Sequence, residues 1–280
     1  MLSAEFSLEV TRPSAAEIAA LADVLPRGTP VYFSAVPTLT AQELVAGAAL
    51  LRKGGLEPVV HIAARRIPAA VDLQDLLIRL HAEADVRRLL VIGGDVDSTG
   101  PFTDALAVIQ KGRLREAGID EIGIASYPVG HVRIPPDRME AALDQKIAAA
   151  RAAGLRVHIV SQFSFAPDAV VAWLKRLRAC GIAVPVKVGM AGPTSFTALL
   201  RYAKRCGVNA SLRGLASGAG AGLIGNVGPD RIIDALAAAT GDIGNAAPHY
   251  FSFGGVIETA RYARAAAERI GSEPVIAQPN

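Results

Sequence analysis

Glu121-Ile122-Gly123-Ile124-Ala125-Ser126, at residues 121–126, is an apolar run of the length of a buried strand, and the polar segment Tyr127-Pro128-Val129-Gly130-His131 follows it. An amphipathic stretch, Arg138–Ala152, comes next, and after Gly154 a second run, Val157-His158-Ile159-Val160-Ser161, ends at Gln162. Short apolar runs bounded by turn residues read as strands, and the longer periodic stretch between them reads as a helix. Glycine just beyond a helix supplies the left-handed residue that commonly ends it. Two strands joined through a helix lie parallel, since the crossover carries the chain back to the end from which it started.

The same unit repeats in both directions. Further strand candidates are Phe6–Val10, Val31–Ala35, Pro58–Ile62, Leu89–Ile92, Pro185–Val188 and Tyr250–Phe253. Helical stretches are Ala41–Arg52, Asp72–Glu83, Phe102–Lys111, Asp168–Ala179, Ser195–Cys206 and Val256–Ile270. Thr40 before Ala41-Gln42-Glu43 is a capping-box pattern, and Gly54 and Gly181 stand with Gly154 where a left-handed residue is wanted. Eight such units in 280 residues predict an α/β fold, a (β/α)8 TIM barrel forming one catalytic domain over residues 1–280. An open doubly wound sheet would show a glycine-rich fingerprint after its first strand, and Leu8-Glu9-Val10-Thr11-Arg12-Pro13 is nothing like one. An extra Gly-rich segment, Arg213–Gly228, precedes the eighth strand, with a short element expected near Asn209–Leu212 and a helix over Asp230–Ala239.

Composition narrows the function classes. Hydrophobic residues make up 51% and aromatics only 5%, which suits a core of branched strands under Ala-rich helices. The net charge is +3 and the basic residues are scattered, so no nucleic-acid footprint is visible. Cys180 and Cys206 have no Cys or His at ligand spacing, which argues against a disulfide scaffold, and no metal site is expected. The chain shows no signal peptide and no membrane span, so a cytoplasmic location is expected.

In a barrel of this kind the active site lies at the carboxyl ends of the strands. That rule selects Glu9, His61, Asp95, Asp97, Tyr127, His131, Gln162 and His249. If Phe6, Leu8 and Val10 face the helices, Glu9 points inward, where a carboxylate is costly unless it has a purpose; the opposite facing would leave it an exposed strand residue. Asp95 after Gly93-Gly94 could instead cap a turn, and His61 could be a core histidine. Gln162 has few structural reasons to follow Ile159-Val160-Ser161. His158 and His81 read as surface or core residues without a role. Carboxylates with amide and imidazole groups in a barrel mouth favour acid–base or hydride chemistry assisted by an organic cofactor.

Taken in order, these segments resemble methylenetetrahydrofolate reductase, in its short bacterial type that consists of the catalytic domain alone. Ser7-Leu8-Glu9-Val10-Thr11-Arg12-Pro13 is similar to that family's Ser-Phe-Glu-Phe-Phe-Pro-Pro, and Gly94-Asp95 stands where it has Arg-Gly-Asp. Tyr127-Pro128-Val129-Gly130-His131 resembles its Tyr-Pro-Glu-Gly-His, the most specific of the matches. Lys146 occupies the lysine position of the next helix, Ser161-Gln162-Phe163-Ser164-Phe165 resembles Thr-Gln-x-Phe-Phe, and His249-Tyr250-Phe251 resembles His-Phe-Tyr. The resemblance implies FAD across the barrel mouth, held by groups near Ser34, His61, Asp95, Tyr127, His131 and Lys146, with NADH or NADPH as candidate electron donor. It implies hydride transfer that interconverts 5,10-methylenetetrahydrofolate and 5-methyltetrahydrofolate. Glu9 would be the general acid, its pKa raised by burial; Asp95 would stabilise developing positive charge; Gln162 would orient the pterin, with Tyr202 or Phe251 stacked on it. A folate substrate, no nucleic-acid or membrane partner, and a homo-oligomer are expected.

The chain departs from the family pattern at Gly93, where the family has arginine, and at Val96, Ser34-Ala35-Val36-Pro37, His61-Ile62-Ala63-Ala64 and Ser252-Phe253-Gly254. Three readings therefore stand: a reductase, or a specialised paralogue of it working in methyl-group catabolism; a non-catalytic or flavin-independent folate-binding barrel; and an unrelated TIM-barrel lyase, for which Lys187 is the Schiff-base candidate.

Overall fold

The computed structural model describes residues 2–34, 36, 38–98, 100–195, 197–198 and 226–272. Strands and helices alternate along the chain: β1 (Ser7–Val10), α1 (Ala15–Val24), β2 (Pro30–Phe33), α2 (Ala41–Lys53), β3 (Glu57–Ala63), α3 (Ala70–Ala84), β4 (Arg88–Ile92), α4 (Ala105–Lys111), β5 (Glu121–Ser126), α5 (Pro136–Ala152), β6 (Arg156–Ser161), α6 (Pro167–Ala179) and β7 (Val186–Ala191). There follow β8 (Thr194–Ser195) and β9 (Asn226–Val227), then α7 (Asp230–Ala238), β10 (Ala246–Phe251) and α8 (Val256–Ser272). Eight strands close into a barrel in the order β1-β10-β7-β6-β5-β4-β3-β2, each paired in parallel with its neighbours. The (β/α)8 fold is thus as the sequence predicts. β8 and β9 form a separate antiparallel pair outside the barrel wall.

The main core lies between wall and helices. Leu8, Val31, Val60, Leu89, Ile122 and Ile159 project outward and meet Leu21, Leu51, Leu77, Val108 and Leu174 of the helices. Burying side chains of this size contributes roughly 1.5–3 kcal/mol each. Thr40 makes the expected capping box with Glu43, and Ser14 makes another with Glu17.

α1 is not among the expected helices, and several boundaries differ from expectation. The left-handed residue after α2 is Gly55, at φ +79°; Gly54 is right-handed, whereas Gly154 and Gly181 have positive φ as expected. α4 begins at Ala105 and not at Phe102, because the Asp104 side chain caps it by accepting from Ala107 N at 2.9 Å. Ser195, expected to start a helix, lies in β8. β10 starts at Ala246, well before the expected Tyr250, so His249 lies inside the strand instead of opening it. Thr197 and Ala198 are helical, within the stretch expected over Ser195–Cys206. The rest of that stretch, the element near Asn209–Leu212 and most of the Gly-rich segment lie outside the described residues.

Candidate active site

Strand alternation places a set of polar side chains inside the barrel. On β1, Leu8 and Val10 join the outer core, so Ser7 and Glu9 face inward. Tyr32 of β2 shares a small inner apolar cluster with Val59, Leu90 and Val160. His61 of β3, His158 of β6 and His249 of β10 present their rings to Tyr32, with centroids 6.1, 6.3 and 4.6 Å from its own. Glycine makes room for this crowding: a Cβ on Gly123 would lie 2.8 Å from His158 Nε2.

Glu9 stands near the carboxyl end of β1, its side chain 17% exposed. Ser34 Oγ donates to Glu9 Oε1 at 2.7 Å, while His61 Nε2 and His249 Nε2 lie 3.8 and 3.6 Å from Oε2. Neither of those buried ring nitrogens has a hydrogen-bond partner among the described residues. On the far side of the His249 ring, Nδ1 lies 2.9 Å from Ser7 Oγ, and both residues are fully buried. Burial pushes the Glu9 carboxyl up, but His61, then His249 and the Ser34 hydroxyl, outweigh it and hold the carboxyl below its ordinary value. The expectation of a raised pKa is corrected accordingly: it counted burial and omitted partners that the other strands supply. Burial lowers His61 and His249, with Glu9 opposing.

A second polar group occupies the amino end. His158 Nδ1 lies 2.7 Å from Glu121 Oε1, and its Nε2 lies 2.7 Å from Tyr32 Oη. The hydrogen bond from His158, against the opposing effect of burial, takes the Glu121 carboxyl down to about 2, with Arg88 and Arg156 adding their charges. Lys187, the Schiff-base candidate, is the second residue of β7 and so lies at this end, away from the mouth where barrel chemistry occurs.

The remaining candidates sit on the loops and rim of the mouth. Asp95, after β4, is ion-paired with Arg66 and 66% exposed. Tyr127 and His131 pack edge to face with centroids 4.8 Å apart. Lys146 of α5 reaches back to donate to Ala125 O at 3.2 Å, and burial lowers its ammonium to about 8. Gln162 Oε1 accepts from Phe163 N at 3.1 Å, a local turn that fixes its side chain at the end of β6. Phe251 lies beside Glu9 in register and packs on Phe163 and Phe253, with centroids at 5.3 and 5.7 Å. Tyr202 lies outside the described residues. Sequence reasoning gave no role to Ser7, Tyr32, Glu121 or His158. Strand parity could have found Ser7, two residues before Glu9, and Tyr32, two before Ser34. Nothing local marks the pairing of Tyr32 with His158, 126 positions away.

A family model described as methylenetetrahydrofolate reductase matches residues 5–212, well over half of the chain. The chain belongs to the methylenetetrahydrofolate reductase family. Among solved structures, dihydropteroate synthase from Thermus thermophilus aligns with a TM-score of 0.51 at 16% identity, over 96% of this chain and 91% of that one. At that identity the likeness shows the barrel fold alone. A conserved protein of unknown function from a locus in Enterococcus faecalis matches with a TM-score of 0.48 at 11% identity, over 94% of this chain and 65% of its own.

Membership of the methylenetetrahydrofolate reductase family supports an oxidoreductase of folate and one-carbon metabolism, and its members generally bind FAD. The rim residues fit such a group. Lys146 brings a half-buried cation to the end of β5. Arg65 brings another: its Nη2 would lie 3.7 Å from a Cβ on Gly93, so the position without a side chain is already faced by a guanidinium. Arg65 also donates through Nε and Nη1 to Thr103 O and Gly94 O, and cations of this kind on the rim suit a phosphate group. Among the described residues no helix is long and apolar enough to cross a membrane.

Proposed function

We propose that this chain interconverts 5,10-methylenetetrahydrofolate and 5-methyltetrahydrofolate by hydride transfer through FAD, with NADH or NADPH as the electron donor to be tested. The observation that carries the reading is Glu9: an inward carboxylate near the mouth, fixed by Ser34 and flanked by two imidazoles. Lys146, Tyr127 and His131 would hold the flavin with Ser34, His61 and Asp95, and bound there it supplies the hydride.

Glu9 protonates the bridging nitrogen of the methylene compound, which opens the five-membered ring to an iminium ion. A ligand seated over the mouth removes the remaining water contact of Glu9, and this desolvation favours the protonated acid that the step needs. Asp95 hydrogen-bonds the pterin and counters the developing positive charge. Gln162 orients the pterin edge, and Phe251, backed by Phe163 and Phe253, offers its ring for stacking.

Absorbance of the purified protein, before and after FAD addition and desalting, tests this reading. Retained flavin bands that bleach with NADH or 5-methyltetrahydrofolate support it. Initial rates in both directions then separate a reductase from a paralogue working in methyl-group catabolism, for which a strong preference for NADH-driven reduction is the contrary result. Gly93 favours a second reading, a flavin-independent folate-binding barrel, whose signature is a colourless protein that still binds 5-methyltetrahydrofolate.

A further inference from the structure

Ser161 and Gly189 have no task in the chemistry above, yet the barrel wall is irregular where they meet. β6 and β7 pair at Ile159↔Val186 and Val160↔Lys187, with Ile159 N donating to Pro185 O at 2.9 Å. The next rung of a regular parallel ladder would join Gly189 N to Ser161 O. Gly189 N donates instead to the buried Ser161 hydroxyl at 2.8 Å, and the same hydroxyl donates to Gln162 O at 3.1 Å. We propose that Ser161, admitted by Gly189, is a positioning residue that fixes Gln162 at the mouth with its carboxamide set as a hydrogen-bond donor. The use of that donor, holding the pterin, rests on the reductase reading; the arrangement itself rests on the barrel geometry.

The residue types are those the junction needs. A hydroxyl accepts and donates at once, so one side chain satisfies the N–H of β7 and steadies the carbonyl that follows it. A Cβ on Gly189 would lie 2.3 Å from Ser161 O and 2.9 Å from Phe163 N, so a larger residue would push β7 away from the turn. A regular rung would need no side chain. With the hydroxyl in its place, the chain leaves β7 at Ser161 while Gln162 N still donates to Ser126 O of β5 at 2.8 Å. The backbone of Gln162 is thereby held on both flanks.

Strand parity and the turn then orient the side chain. Val160 belongs to the inner apolar cluster, so Gln162, two residues on, faces the interior as well. A backbone N–H can only donate, which makes the carboxamide atom 3.1 Å from Phe163 N the oxygen. Phe163 is itself fully buried against Phe251 and Phe253, and this anchors the turn. With the oxygen drawn back to the chain, the other arm of the carboxamide, an N–H pair, is what Gln162 offers a ligand. Its complement is an acceptor, such as a ring nitrogen or carbonyl oxygen of the pterin.

NMR of the side-chain amides in the full-length protein reads the positioning without any ligand, with Gln162→Ala giving the assignment. The native protein is expected to show a rigid Gln162 carboxamide with two well-separated N–H signals. Ser161→Ala frees it, and Ser161→Thr, which keeps the hydroxyl, restores it. Ser161→Cys keeps the volume and weakens both hydrogen bonds, so it gives the same change in milder form should Ser161→Ala not fold. Calorimetric titration with 5-methyltetrahydrofolate reads the use. Ser161→Ala is expected to weaken binding about tenfold, and to cause no further loss when added to Gln162→Ala. Gln162→Glu keeps an acceptor for Phe163 N but lacks the N–H pair, so it binds no better than Gln162→Ala. A carboxamide equally rigid without the hydroxyl overturns the proposal. So does a loss that persists in the Gln162→Ala background, as a merely loosened wall would give, or a Gln162→Glu protein that binds better than Gln162→Ala. The spectra need no folate: binding that ignores Ser161→Ala defeats this inference alone, and a carboxamide that responds as described in a protein that binds no folate defeats the reductase reading alone.

Discussion

At the amino end of the barrel His158 sits 2.7 Å from Glu121, with a tyrosine hydroxyl 2.7 Å from its other nitrogen. At the carboxyl end His249 stands 3.6 Å from Glu9, in contact with Ser7 and leaving Nε2 without a hydrogen bond among the described residues. Both are imidazole–carboxylate pairs in the same polar interior, on strands of the same sheet. The first is tightly drawn: the ring nitrogens stand 2.7 Å from a carboxylate and from a phenol hydroxyl, and the carboxyl is held down to about 2. The second is looser: a fully buried ring nitrogen faces, at 3.6 Å, a carboxylate that keeps 17% of its side chain exposed near the mouth. Satisfied polar groups specify a structure; the group left available marks where chemistry can occur.

Substituting each carboxylate in turn gives the sharpest break. Glu9→Gln is expected to lower folate turnover by about 10²–10⁴-fold, the range for a removed general acid, with little change in the thermal midpoint. Glu121→Gln is expected to do the reverse. Turnover stays within about threefold, while stability drops by roughly 2–3 kcal/mol as His158 loses a buried partner, read from urea unfolding. If both variants lost activity alike, the division between the two ends would not stand.

The dependence of stability on pH sharpens the contrast. His61, His158 and His249 are all lowered by burial, so near pH 6.5 the unfolded chain takes up protons that the barrel refuses. Stability is therefore full above about 6.5 and falls as pH drops below it. Glu121 adds a second fall: its contribution is present above the ordinary carboxyl value of 4.5 and is lost on descent to about 2. Urea midpoints across pH should show both phases, with His158→Gln flattening the first and Glu121→Gln the second.

Much of this was legible in the sequence. β5 was bounded at Glu121–Ser126 and β6 within a residue, because branched runs beside glycine punctuation mark buried strands. Glu9 was turned inward by the parity of Leu8 and Val10. β10 was placed late because Ala246-Ala247-Pro248 has neither branched side chains nor a complete set of backbone donors, and only its neighbours β1 and β7 make it a strand. The Glu121–His158–Tyr32 group was invisible for a different reason: its members come from three strands and meet only when the barrel closes. The expected pKa of Glu9 failed on the same point, since His61 and His249 arrive from β3 and β10.

Smaller effects test how closely the interior is fitted. Gly123→Ala would set a methyl 2.8 Å from His158 Nε2, and we expect a loss of about 1–3 kcal/mol with turnover retained, seen as a lower urea midpoint. Lys146→Gln, at the rim, should weaken FAD retention about tenfold after desalting and leave the fold unaltered, as the loss of one charge-assisted contact does.

The most direct measurement is a single turnover. FAD-loaded native protein and Glu9→Gln are reduced anaerobically, mixed with 5,10-methylenetetrahydrofolate, and followed by the return of flavin absorbance. The account predicts rapid reoxidation in the native protein and a rate at least about 100-fold slower in Glu9→Gln, with flavin bound equally by both. Equal rates in the two proteins, or no reoxidation in either, would contradict it.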